Sequence, residues 1–149
     1  RVGRNAARRA LRKGANVIRD AVRANAKRID DPETREMIWK NVAVAGGGSR
    51  REKRVGGPMM RVGVRGGAKS YRNKSGTYHV GGSSKNPGGD TWYWRLLEFG
   101  FTARDGTAVG AQPIMRSAMN SEAGRAAQVV IEALNVEFDK EAAKLAAMP

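Results

Sequence analysis

A chain of 149 residues is long enough for one compact domain and too short for two well-packed cores, so the reading is a single domain over residues 1–149. Hydrophobic residues at 40% and charged residues at 28% are a globular balance, whereas 19 glycines are too many for helices and strands and must gather in loops. With no cysteine and one histidine, His79, the chain has no disulfide framework, thiolate zinc site, cysteine nucleophile or imidazole cage. No apolar run approaches the ~18 residues that span a bilayer. The N-terminal Arg1, Arg4, Arg8 and Arg9 precede no signal-peptide core, so neither a membrane protein nor a secreted one is expected.

The net charge is +14 and it is polarised. Residues 1–74 hold 21 basic and six acidic side chains, and residues 75–149 hold seven and eight. Such an imbalance fits contact with nucleic acid, an acidic protein surface, or a neighbour in a large assembly that supplies the counter-charge. A solvated basic face is the plain alternative.

In chain order, Ala7, Leu11, Ile18, Val22 and Ile29 recur at four and seven, which predicts an amphipathic helix over about 5–29. Arg8, Arg12, Arg19, Arg23 and Lys27 form a basic ridge along one flank of that stripe. Asp31 and Pro32 read as the N-cap and first residue of a short second helix through Glu33, Met37 and Ile38. Alternation at Val42 and Val44, then at Met60, Val62 and Val64, predicts antiparallel strands, and Thr77 to Val80 a third. Between the first two, residues 45–57 carry Gly46, Gly47, Gly48, Arg50, Arg51, Lys53 and Arg54 and read as a flexible basic loop. Residues 81–90 read as another Gly/Ser/Pro-rich loop. Both loops are expected to order only against a partner.

Residues 91–99 predict a short helix closed by Gly100, and Pro113 opens a further helical segment. Ala126, Val130, Leu134, Phe138, Ala142 and Leu145 then mark a long amphipathic helix over about 121–147, with Leu134 and Phe138 on its expected buried face. The fold class is therefore α+β: a small antiparallel sheet of three to four strands packed against two long amphipathic helices, with long Gly-rich basic loops.

Chemistry-bearing motifs are weak. Gly63 to Ser70 nearly spells a phosphate-binding loop, but Ala68 stands where its second glycine belongs and the polar run from Tyr71 to Lys74 opens no helix. His79 has no second ligand for a metal, and Glu98, Asp105, Glu122 and Glu132 show no local pairing for acid–base work. The expectation is no enzyme and no cofactor. Trp92, Tyr93 and Trp94 could stack on bases but, next to Leu96, Leu97 and Phe99, read first as core.

The stretch Tyr93, Trp94, Arg95, Leu96, Leu97, Glu98, Phe99, Gly100, followed by Gln112, Pro113, Ile114, Met115, Arg116, Ser117, Ala118, resembles the tail-completion, or head-tail joining, family of long-tailed bacteriophages. The order of elements is similar along the whole chain: basic helix, strands, Tyr-x4-Glu-Phe-Gly, a Pro-aromatic-x-Arg-x-Ala stretch, and a final amphipathic helix. Ile114 replaces the family's usual aromatic and keeps an apolar anchor; Thr34 is followed by Arg35 where the family has Thr-Gly. The resemblance implies a non-enzymatic virion protein of the neck, assembled as a homo-oligomeric ring, a hexamer or dodecamer, with DNA passing through its channel. It implies a head connector or head-closure protein on one side and a tail terminator or tail tube protein on the other. It places the protein at the head-tail junction of the virion, and in the host cytoplasm during assembly. A tail terminator or head-closure role is the near alternative, and a basic nucleic-acid-binding protein the one from another class.

Motif and interface candidates are then Tyr93, Glu98, Phe99, Gly100, Pro113 and Arg116, with the cations Arg8, Arg12, Arg19, Arg23, Arg50, Arg51, Lys53 and Arg54. A carboxylate at a helix C-terminus opposes the dipole, so Glu98 is expected to have a specific arginine partner, Arg116 or one from a neighbouring subunit.

Overall fold

The structure is a computed structural model that describes residues 2–30, 32–33, 36–65 and 86–147. Helix α1 runs Val2–Ile29, α2 Ile38–Asn41 and α3 Ser49–Val55; α4 is Trp94–Phe99 and α5 is Met115–Ala146. Strand β1 (Val42–Gly46) pairs antiparallel with β2 (Met60–Val64), with Val42 opposite Val64 and Val44 opposite Val62. Strand β3 (Phe101–Thr102) pairs with β4 (Ala108–Val109) across the turn at Gly106. The α+β class holds, with the four described strands in two separate two-stranded ladders. The third strand expected at Thr77 to Val80, His79 and most of the phosphate-loop-like stretch lie outside the described residues.

The two long helices lie side by side in opposite directions, since Asn25 donates to the Ile114 carbonyl at one end and Arg9 meets Glu137 at the other. Their close approach is made possible by Gly14: a Cβ there would stand 2.7 Å from the Ala126 carbonyl oxygen and collide with Val130. The core is at one end only. Ile18, Val22 and Ala26 of α1 pack with Ile38, Val42, Ile114 and Ala118, and Trp39, Val62, Val64, Tyr93, Trp94 and Leu97 close around them. Towards the other end the buried apolar residues of the helix pair shrink to Ala6, Ala10 and Ala133.

Several boundaries depart from the sequence reading. Pro32 and Glu33 form a turn, and the helix after it starts only at Ile38. Its cap is the Asp30 carboxylate, which accepts from the Ile38 and Trp39 amides at 2.9 and 3.2 Å; Asp31 lies outside the described residues. The basic stretch 45–57 is not all loop: Ser49–Val55 is helical and closes on Gly56 in the left-handed region. Arg, Glu and Lys are good helix formers, and the glycines on both sides of this run only delimit it. Glu52 then faces inward and bonds Arg8 at 2.6 Å. Of the loop expected at 81–90, residues 88–90 are buried, because the Asn41 side chain accepts from the Gly88 amide and donates to the Gly89 carbonyl and to Thr91 Oγ1, each at 2.8 Å. The final helix is continuous from Met115, with no break before residue 121.

Candidate functional site

The Glu98 node joins the motif residues, and it is built by the start of α5. A helix leaves its first amides without intrahelical partners, and Ile114, in the N-cap position, supplies no side-chain acceptor. Glu98, 2% exposed at the end of α4, fills that role from sixteen residues upstream. Its Oε2 accepts from the Ile114 and Met115 amides at 2.7 and 2.9 Å, and its Oε1 from the Arg116 amide at 3.0 Å. An anion at a helix N-terminus is stabilised by both the hydrogen bonds and the dipole.

Arg116 completes the node from the solvent side. Its Nε lies 3.4 Å from Glu98 Oε1, its terminal nitrogen donates to the Glu98 carbonyl at 2.7 Å, and its guanidinium covers the Phe99 ring at 5.2 Å. The expected Glu98–Arg116 pair is present, yet the backbone amides are the carboxylate's nearer partners. Gly100, at φ 75°, turns the chain out of α4 where a Cβ would sit 2.9 Å from the Val109 carbonyl oxygen. Pro113 is half-buried just before the capped amides, and the Leu97 carbonyl accepts from Gln112 at 2.7 Å. Tyr93 bonds Glu36, whose carboxyl is pushed above the ordinary carboxylate range by burial and by nearby Asp90. The motif is thus a clamp fastening α4 to α5, with the carboxylate spent on structure. Phe99 is the apolar member of the group that projects, at 68% exposure, beside the exposed Arg116.

The cations divide. Arg8 is held by Glu52, and Arg23 donates to the Val42 carbonyl at 2.9 and 3.2 Å, tying α1 to the strand; both work inside the fold. Arg19 bonds Asp20 and Asn16, its own helix neighbours. Arg12, Arg50, Arg51, Lys53 and Arg54 are exposed, and none of them forms a salt bridge among the described residues. Because Arg50 and Arg54 stand about half a turn around α3 from the inward Glu52, they line its outer edge.

The largest correction concerns α5. Phe138 is 62% exposed, and Leu145 69%, so the apolar row chosen as a buried face looks outward at that end. Residues spaced by four drift about 40° per step on a 3.6-residue helix, so a row that touches α1 at Ala126 winds away from it by Phe138. The positions that turn to α1 there are Ala133 and Glu137, and Glu137 pairs with Arg9. Sequence reasoning missed Glu52, Asn41 and Ala133 altogether; only the Ser49-x-x-Glu52 spacing, a helix-start signature, hinted at α3.

Taken together, these contacts give an α+β protein in which Glu98, Arg8, Arg23 and Asn41 fasten one element to another and Ile131, Phe138 and Leu145 lie exposed. The chain belongs to the HK97-gp10-like family, described as "Bacteriophage HK97-gp10, putative tail-component", whose model matches residues 1–100. No curated protein and no solved structure matches it. It is a phage tail-related structural protein, in agreement with the resemblance carried by Tyr93 to Gly100 and Pro113 to Ala118. No described helix is long and apolar enough to cross a membrane.

Proposed function

We propose that this protein is a non-enzymatic tail completion protein of the phage neck, forming part of a ring that joins the head connector to the tail around the DNA channel. The observation that carries the reading is the Glu98 clamp. The motif shared with tail-completion proteins is here an internal fastening that fixes α5 on α4, and it leaves the acidic group of the motif no free oxygen for turnover. Family membership as a phage tail component supports the same reading. Its partners are then further copies of itself, a head connector or head-closure protein, and a tail terminator or tail tube protein, at the head-tail junction of the virion. DNA must slide through such a channel, so the α3 arginines that form no salt bridge among the described residues serve protein contacts better than tight phosphate binding.

Phage particles made without this protein should accumulate as DNA-filled heads and separate tails, and adding the purified protein should join them. Normal joined particles without it would refute the role. A steep salt dependence of DNA affinity by an isolated monomer would favour the nucleic-acid-binding reading instead.

A further inference from the structure

We propose that the outward row on α5 of one copy docks against the outer edge of α3 on the next copy, in a head-to-tail contact. The inference rests on the ring reading above and names the two surfaces that would close it.

The row is Ile131, Phe138 and Leu145, which are 52%, 62% and 69% exposed and spaced by seven, so they stand in one line on the helix. On the helical wheel Ile131, Phe138 and Leu145 stand about 160°, 140° and 120° from Ala133, which is buried on the α1 side, so the row lies on the outer half of α5. One flank of the row carries the exposed acids Glu132 and Asp139, also spaced by seven. An apolar line edged by carboxylates calls for a partner with apolar surface and cations in register.

This chain carries such a surface on its other side. Arg9 and Gly14 bracket the side of α1 that meets α5, through Glu137 and through Ala126 with Val130. Arg8 leaves α1 on the opposite side to reach Glu52 of α3. The order across this end is α3, α1, α5, with the row on one outer edge and the exposed Arg50 and Arg54 on the other. Arg50 and Arg54 are free of salt bridges among the described residues and can reach Glu132 and Asp139. Their aliphatic stems and planar heads can also cover Phe138. Two different, complementary edges on one subunit make a heterologous contact, which closes into a ring when the rotation permits.

The test is a mixing experiment read by analytical ultracentrifugation, with a thermal melt on each sample. Phe138→Asp should melt like the parent, since the side chain is exposed, and sediment as a monomer; Arg50→Glu with Arg54→Glu should do the same. Mixed one to one, the two variants should form a heterodimer and nothing larger, because the first keeps an intact α3 edge and the second an intact row. Assembly of either variant alone to the parent's size, or no heterodimer on mixing, overturns this contact while leaving the ring reading standing. A parent chain that stays monomeric even with its head-side and tail-side partners overturns both.

Discussion

The two ends of the helix pair are built from the same two helices and obey different rules. At one end Ile18, Val22 and Ala26 meet Ile38, Val42, Ile114 and Ala118, with strands and α4 laid over them, and large apolar side chains are enclosed. At the other end α1 and α5 touch through Ala6, Ala10 and Ala133 and through the Arg9–Glu137 pair, and α1 meets α3 through Arg8–Glu52, while Ile131, Phe138 and Leu145 remain outside. Small residues and salt bridges hold helices close but bury little area, and hydrophobic stabilisation scales with area. The packed end carries the fold; the arm carries surface.

Truncation separates the ends most strongly at Ile38, fully buried where α2 meets α1 and β1. Ile38→Ala should lower unfolding free energy by about 2–5 kcal/mol, the range for a buried large-to-small change, measured by urea denaturation. Glu98→Ala comes next. It strips three amides of their acceptor at the start of α5, and a loss of about 2–3 kcal/mol is expected. Glu98→Gln should recover only part, because an amide has one acceptor oxygen where the carboxylate uses two.

How much of this was legible in the sequence depended on whether the partner of a residue leaves a pattern. The α1 stripe did, because Ile18, Val22 and Ile29 alternate with polar residues at helical spacing, and so did the strand pairs at Val42 and Val64. The pairing of Glu98 with Arg116 was legible as an ill-placed charge, whereas its three amide donors were not, since a backbone amide has no sequence signal. Asn41 reads as an ordinary polar residue until Gly88, Gly89 and Thr91 are brought to it. On α5 periodicity located an apolar row but could not say what covers it, and half of that row, Phe138, Ala142 and Leu145, is exposed.

A smaller effect is electrostatic and sharpens the same contrast. Glu36, near the packed end, has its carboxyl raised by burial first and then by Asp90, so its contribution is fully present at low pH and is lost as pH rises through the raised value. Glu52 and Glu137, on the arm, are lowered, chiefly by hydrogen bonds from Arg8 and Arg9. Their contribution is present above the ordinary carboxylate range and lost as pH falls through the lowered values. Glu36→Gln should therefore stabilise the protein at neutral pH and change little in acid, whereas Glu52→Gln should destabilise it at neutral pH and lose its effect in acid. Paired melts across pH 3–8 would show the opposite slopes. The smallest stability effect belongs to Phe138→Ala, within about 0.5 kcal/mol for an exposed side chain, against the 2–5 kcal/mol that a buried face would give.

Because the chain has no cysteine, a disulfide placed across the proposed contact can report on assembly without background. Phe138→Cys combined with Arg54→Cys in one chain, oxidised gently and run on non-reducing gels, should give a ladder of linked subunits ending at the ring. Phe138→Cys alone should stay unlinked. A pair of 138 residues joining two copies, or a double variant that assembles to the parent's size without any linked subunits, would contradict the account that the arm is a head-to-tail assembly surface.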